Sequence, residues 1–394
     1  MLWRHGDRTP IQPYPTDPHL DYDWPGGLGQ LTVEGMRRHH QLGRWIRSRY
    51  RGWLNDTYNR RDTRVRSTDT DRTLMSALAN LAGLYPPAGG QVWDQEIPWQ
   101  PIPVHTLPQE QDYLLSSHAR CPRFQELQQE ILEGDWMKGL YKQNEALFKY
   151  VSRNAGQEIV DIVKLDYIYD TLLIENATGL PLPNWTQQVF PGDGTFKNLR
   201  DLSFTVDTLT EELKRLKGGP WLKEIIEHSD AITSNKNDEH VKLYLYSAHD
   251  TTVAPMLHTM GVFNGLAPPY ASMVMVELME SPDLGPVIQV LYHNESGHEP
   301  YVMTLPGCQP LCPLAKFKHL TSRYIPVNIL EECGLTVSDS RIQQVTLVAA
   351  ICSSVMAASV LVAVLVGLCC KKQRPDQQMD FPSARYHRVQ TDHE

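Results

Sequence analysis

Residues 345–370 contain no Asp, Glu, Lys or Arg, an uncharged run of 26 residues. Few water-soluble folds can hide such a run, because a globular helix of that length carries a polar face. As a helix it would extend about 39 Å, enough to cross a bilayer core with some tilt. The reading is a transmembrane helix over 345–370, with a buried core helix as the weaker alternative. Lys371, Lys372 and Arg374 follow at once, which assigns 371–394 to the cytoplasm as a polar tail. The residues before the span then face the lumen or the cell exterior.

That topology can be checked against glycan acceptors and cysteines. Asn-x-Ser/Thr sites occur at Asn55, Asn176, Asn184 and Asn294, all before the span. Cys121, Cys308, Cys312 and Cys333 share that segment. The Cys308-Gln-Pro-Leu-Cys312 spacing fits a metal knuckle or a disulfide. No second pair or histidine doublet follows it, so an oxidising compartment favours the disulfide and leaves Cys121 to pair with Cys333. Met1 runs straight into a polar motif with no apolar run of signal length, and the simplest reading is that the sequence begins late. The net charge of −9, from 37 basic and 46 acidic residues, excludes a nucleic-acid partner, which would need a basic surface.

Upstream of the span, strands and helices alternate. Thr32 caps a helix to Tyr50 in which Met36, His39, Gly43, Ile46, Tyr50 and Trp53 recur at helical spacing. Residues 64–67 end a short strand. The helix from about Asp71 is expected to bury Leu74, Met75, Leu78, Leu81 and Tyr85, and Pro86-Pro87 stops it. Residues 122–156 are helical and polar-rich, with helix-like sequence to Thr171, and 122–200 reads as a helical cap insertion. A strand over 241–246, a turn over 247–250 and a helix over 251–260 closed by Gly261 follow. The last strands are expected at 273–278 and 287–292. The alternation predicts an α/β domain, residues 1–121 and 201–340, on a mostly parallel sheet with helices on both faces.

Chemistry in such sheets collects where strands end and helices begin. Three segments stand there: Arg4-His5-Gly6-Asp7-Arg8-Thr9-Pro10, Ser67-Thr68-Asp69-Thr70-Asp71-Arg72 and Ser247-Ala248-His249-Asp250. Arg4, Arg8 and Arg72 offer forked donors matched to phosphoryl oxygens. Gly6 allows backbone to approach an anion. His5, between arginines, should stay neutral and nucleophilic, because adjacent positive charge disfavours the imidazolium. His249 adds a donor, and Asp250 is placed to protonate a leaving alcohol. Asp7 orients Arg4 or Arg8, and Asp69 and Asp71 are helix caps or site residues. Gly26-Gly27-Leu28-Gly29 lacks the Lys-Ser/Thr of a phosphate loop and reads as a turn. No histidine spacing demands a metal.

The Arg-His-Gly-Asp-Arg-Thr-Pro segment with the later His-Asp resembles the histidine acid phosphatases. The similarity runs from Arg4 to about Cys333, through Gly-Gln-Leu-Thr at 29–32, Cys121-Pro-Arg-Phe-Gln-Glu-Leu and His298-Glu-Pro-Tyr. It implies a phosphoglycerate-mutase-like α/β domain with a smaller helical domain over the site, hydrolysis of phosphomonoesters, and no cofactor. His5 is then the phosphohistidine nucleophile, Arg4, Arg8, Arg72 and His249 bind phosphate, and Asp250 donates the proton. Family members pair as homodimers around positions matching Trp99 and His105. A third family disulfide falls at Ile174 and Met273, both lost together. Only Met1 to Trp3 stand where the family's first strand precedes Arg4, so weak anchoring of His5 is expected. Mutases and inositol-phosphate phosphatases share the Arg-His-Gly core; His249-Asp250 disfavours the former and the length of the match the latter. A non-catalytic adhesion or signalling ectodomain is the alternative outside the enzymes. In the tail, Tyr386-His387-Arg388-Val389 has the form of an endocytic signal for a sorting adaptor, and Cys369 and Cys370 are candidate palmitoylation sites.

Overall fold

Leu2–Arg4 (β1) lies at the centre of the sheet although it is only 3 residues long. The computed structural model describes residues 1–190, 194–234, 241–294 and 297–335. The expected span, tail, sorting motif and candidate palmitoylation sites lie outside the described residues, within which no helix is long and apolar enough to cross a membrane.

After β1 come Val33–Arg49 (α1), Thr63–Ser67 (β2) and Asp71–Leu84 (α2). A helical stretch follows: Pro122–Leu132 (α3), Asp135–Gln143 (α4), Glu145–Ala155 (α5), Ile162–Thr178 (α6), Thr195–Val206 (α7), Glu211–Lys217 (α8) and Gly219–Thr233 (α9). Leu243–Ala248 (β3), Asp250–Thr259 (α10), Met273–Ser281 (β4), Gly285–His293 (β5), Tyr301–Met303 (β6) and Cys312–Pro313 (β7) return to the sheet. Leu314–Thr321 (α11) and Ile329–Glu332 (α12) close the described chain.

The sheet order is β2-β3-β1-β4-β5-β6, with β7 on β5. β1 and β2 run parallel to β3, whereas β4 is antiparallel to β1, and β5, β6 and β7 continue antiparallel. The sheet is therefore mixed, not mostly parallel. The reason is visible between β4 and β5: a link this short cannot form a crossover and must be a hairpin.

Helices cover both faces. Trp3, Val65, Leu245, Met273 and Met275 pack under Ile46 of α1 and Leu81 and Leu84 of α2. Leu2, Tyr246, Val274 and Ile288 meet Trp221 and Leu222 of α9 and Val253 and Leu257 of α10 on the opposite face. This alternation of Leu2 with Trp3 is the period-2 signature of a strand buried on both sides. A separate apolar cluster, including Met137, Phe148, Val151, Leu165, Leu172 and Phe196, joins α4 to α7 with Tyr14. The disulfides Cys121–Cys333 and Cys308–Cys312 are both formed.

Thr32 caps α1 through the Gly35 amide, and α1 ends before Trp53, which is 49% exposed. The buried face of α2 differs from expectation: it uses Thr73, Ser76, Ala77, Asn80, Leu81 and Leu84, while Leu78 is 39% exposed. Close helix packing explains this. A Cβ on Gly43 would lie 2.0 Å from the Asn80 carbonyl oxygen, and one on Gly83 2.1 Å from that of His40. At that separation only small side chains fit between α1 and α2.

Where β1 begins, β3 and β4 run on alongside a cavity of about 710 Å³ lined by Met1, Leu2, Trp221, Ile225, Tyr244 and Val276. The Met1 ammonium donates to the Tyr244 carbonyl at 2.8 Å, and burial pushes its pKa down to about 5. His5 is nonetheless well held. Its amide donates to Ala248 at 2.9 Å, that of Arg4 to Ser272 at 3.0 Å, and the His5 carbonyl accepts from Ala271 at 3.1 Å. The expected weak anchoring is not what the backbone shows: hydrogen bonds beyond the strand's end replace the ladder.

Candidate active site

The three parallel strands place their C-terminal ends in line, with Arg4 paired to Ala248 and Ser67 to Ser247. The next residues, His5, Thr68 and His249, therefore emerge side by side. α2 and α10 start beside them at Asp71 and Asp250, so their N-terminal amides and positive dipole ends face the same crevice. All six sequence-selected residues, Arg4, His5, Arg8, Arg72, His249 and Asp250, meet there.

His5 is 2% exposed, and its Nδ1 lies 2.8 Å from the Gly6 carbonyl oxygen. A carbonyl only accepts, so Nδ1 carries the proton and Nε2 keeps its lone pair. Burial first, then the charges of Arg4, His249, Arg8 and Arg72, hold the imidazole pKa well below its usual value. The neutral ring is thus favoured, with burial contributing more than the flanking arginines. Its neighbours are the rings of His249 at 5.5 Å and Tyr270 at 5.8 Å.

Arg4 is fixed on three sides. Its Nη2 meets Asp250 Oδ2 at 2.7 Å, its Nη1 donates to the Pro268 carbonyl at 2.7 Å, and its guanidinium sits 4.1 Å over Tyr270. Arg8 Nη1 donates to Asp170 Oδ2 at 2.8 Å, with the two side chains 6% and 10% exposed. Burial opposes the charge on Arg8, but Asp170, Tyr270 and Asp250 raise its pKa overall. Arg72 is lowered to about 10 by burial and by Arg8 and Arg4.

His249 Nδ1 lies 3.4 Å from Arg72 Nη2, and its Nε2 lies 3.0 Å from Thr68 Oγ1. Because Arg72 only donates, Nδ1 accepts and Nε2–H points to the hydroxyl. Burial first and Arg72 second push its pKa down to about 3. In this arrangement its donor is directed at Thr68. For Asp250, burial favours the neutral acid, but Arg4, Arg8, His249 and the Thr251 amide outweigh it and hold the carboxyl below its usual range.

Two local expectations change. Asp7 does not orient Arg4 or Arg8; it pairs with Arg38 of α1 at 2.7 and 3.2 Å. The closest demand on Gly6 comes from protein: a Cβ there would meet the Gly35 carbonyl oxygen at 2.5 Å, so its glycine seats the loop against α1. The Gly6 amide donates to Ser76 Oγ at 3.0 Å. Thr70, rather than Asp69 or Asp71, occupies the cap position of α2. Gly26, Gly27 and Gly29 all have positive φ, as a turn requires.

Asp170 and Tyr270 were not selected from the sequence. Tyr270 carried no signal in a Pro-rich loop. Asp170 did: it is a carboxylate among Leu165, Ile168, Tyr169 and Leu172 on the buried face of α6, and a charge on such a face needs a partner. Among the described residues no cluster suits a metal ion.

Residues 1–293 match the Histidine phosphatase superfamily (branch 2). Prostatic acid phosphatase of Bos taurus is 41% identical over 338 residues, covering 85% of this chain and 87% of that protein. Lysosomal acid phosphatase of Bos taurus is 40% identical over 360 residues, covering 90% and 84%. Among solved structures, the phytase of Citrobacter braakii aligns with a TM-score of 0.62 at 20% identity, over 85% of this chain and 98% of that one. Hafnia alvei phytase in complex with tartrate aligns with a TM-score of 0.64 at 18% identity, over 84% and 96%. The two phytases share the fold; the sequence relatives share far more, and the chain belongs to branch 2 of the histidine phosphatase superfamily.

Proposed function

We propose that this chain is an acid phosphatase that hydrolyses phosphomonoesters through a phosphohistidine at His5. The observation that carries this is the His5 ring: Nδ1–H is tied to the Gly6 carbonyl, so a neutral Nε2 stands free among Arg4, Arg8 and Arg72. Arg4, Arg8, Arg72 and His249 bind the phosphoryl oxygens, and their forked donors stabilise charge that develops in transfer. Nε2 attacks phosphorus, the ester P–O bond breaks, and the leaving oxygen takes a proton from Asp250. Water then attacks phosphorus and gives up a proton to Asp250, and the P–N bond breaks to release phosphate with the imidazole restored.

While Arg4 compensates its charge, Asp250 holds that proton less readily than an ordinary carboxyl. A bound phosphoryl dianion draws on the same guanidinium, weakens the compensation and raises the carboxyl's pKa. Substrate binding therefore loads the acid, and loading is favoured at low pH. His249, similarly, turns from Thr68 toward the anion or donates alongside it.

The test is a rapid acid-avoiding quench with phosphorus-labelled substrate. A base-stable, acid-labile label on the parent and none on His5→Ala, with turnover lost at least about a thousandfold, is expected. Equal turnover by both proteins would sink the reading. The relatives' names favour an enzyme over an adhesion or signalling ectodomain. The relatives' named types also support a lumenal or extracellular catalytic domain. We further take 345–370 as its membrane helix, with 1–121 and 201–340 as the catalytic domain and 122–200 as the helical layer beside the leaving group. Asn55, Asn176 and Asn184 are exposed and accessible to glycosylation, whereas Asn294 is half-buried; a glycosidase shift counts the sites used. Trp99 and His105 are exposed and suit the family's homodimer, which light scattering on a Trp99→Glu variant examines. Surface retention in a Tyr386→Ala variant tests the adaptor signal at Tyr386 and Val389.

A further inference from the structure

One helical turn separates Asp166 from Asp170 on α6, so Asp166 shares the helix face that supplies Arg8 with its partner. Asp166 is 25% exposed, and its Oδ1 accepts from Arg200 Nε at 3.1 Å. Arg200 Nη1 also serves Asp201 at 3.1 Å, and Lys197 of α7 pairs with the other oxygen of Asp201 at 2.7 Å. Asp201 in turn accepts from the Ala267 amide at 3.2 Å, next to Pro268, whose carbonyl holds Arg4. Asp166 thus sits one helical turn from the partner of Arg8 and, through Arg200, Asp201 and the 267–268 backbone, in a network that reaches Arg4.

Its charged form is disfavoured despite Arg200. Burial raises its pKa, Arg200 lowers it, and the negative charges of Asp170 and Asp250 raise it again, to about 7. Asp170, one turn along α6, reaches Arg8 at 2.8 Å, which sets Asp166 on the α6 side of the site. The neighbouring Tyr167 is 41% exposed and feels Asp166, Arg8, Asp170 and Asp250 as well. In the proposed in-line displacement from His5, the leaving oxygen takes its proton from Asp250 and so departs on that carboxyl's side.

We propose that Asp166 is a specificity residue that selects against phosphomonoesters whose leaving group carries negative charge. The inference rests on the phosphatase reading above. The groups that face Asp166 are Arg200 and Asp201 from α7, with Lys197 on Asp201, Asp170 and Tyr167 from its own helix, Asp250 from α10, and Arg8 through Asp170. Discrimination strengthens as pH rises and Asp166 ionises, and relaxes in acid, where the carboxyl is neutral.

The test uses two aryl phosphates with permanent charges, 4-sulfophenyl phosphate and 4-(trimethylammonio)phenyl phosphate. The ratio of kcat/KM for the cationic over the anionic ester should rise about tenfold from about pH 5 to about pH 8.5 in the parent, the size expected of a partly exposed charge several ångströms away. In Asp166→Asn that rise should vanish, and in Asp166→Glu it should persist. A ratio that rises equally in Asp166→Asn, or does not rise in the parent, overturns the proposal. A parent that turns over neither ester would count against the phosphatase reading instead. The affinities of the two esters, measured by calorimetry across the same pH range, then decide the role of Asp166 by the same criteria.

Discussion

Replacing Asp250 with Asn should tighten phosphate binding while slowing catalysis, two effects of opposite sign that damage to the fold would not produce together. Asp250 Oδ2 lies 2.7 Å from Arg4 Nη2, so a phosphoryl anion drawn to Arg4 meets the carboxylate at roughly 5 Å. At an effective dielectric of about 20, a unit charge pair at that distance repels by about 3 kcal/mol. Protonation of Asp250 and relaxation of the site relieve part of this, and about half surviving corresponds to roughly tenfold tighter inorganic phosphate in the variant. Losing the acid costs about 100- to 10,000-fold in kcat for an alkyl phosphate, whose alkoxide needs a proton. A 4-nitrophenyl ester, whose phenolate leaves unaided, should lose far less. Competitive inhibition by phosphate, with kcat for both esters, reads all three quantities. Phosphate binding unchanged or weakened in Asp250→Asn, or equal losses on the two esters, would refute the reasoning.

Asp170→Asn removes the charge opposite Arg8 from a pair buried to 6% and 10% exposure, so unfolding free energy should fall by about 3 kcal/mol in urea titration. Added phosphate should restore more stability to that variant than to the parent, because an anion takes the lost carboxylate's place beside Arg8. His39, fully buried with Nε2 on the Arg4 carbonyl, has its pKa lowered to about 4 by burial. A depressed pKa stabilises fully above the unfolded value near 6.5, and that stability is lost as pH falls toward about 4, roughly 3 kcal/mol in all; His39→Gln should flatten the slope in melts across that window. Removing Cys121–Cys333, with its separation of 212 residues, should cost about 5 kcal/mol on chain-entropy grounds, against about 2 for Cys308–Cys312 with a separation of 4. Equal losses would show that loop closure is not the source.

The six residues read from strand-to-helix turns all meet in the site, because parallel strands bring such turns to one edge whatever the rest of the sheet does. Sheet direction was misjudged for the opposite reason. Apolar runs at 273–278 and 287–292 look alike in parallel and antiparallel sheets, and only the short link between β4 and β5 distinguishes them. The inner face of α2 escaped because hydrophobicity favours Leu78 while the close approach of Gly43 and Gly83 favours Ala77 and Asn80. Proximity to His5 suggests Arg4 or Arg8 as the partner of Asp7 and an anion as the neighbour of Gly6, yet Arg38 and Gly35 of α1 claim them. Asp170 was legible in principle, as an acid on a buried face, but its partner Arg8 is 162 residues away.

The central strand imposes an order of events on synthesis. Leu2 pairs with Tyr246 on one side and Val274 on the other, and the His5 amide waits for the Ala248 carbonyl. At a ribosomal rate of about 5 to 20 residues per second, that gap lasts roughly 12 to 50 s. Throughout it the nucleophile's loop has no sheet to sit in, while the local pairing of α1 with α2 can already form. Phosphate binding is then among the last properties the emerging polypeptide acquires, and ribosome-bound chains halted before β4 should hold neither the site nor affinity for the anion.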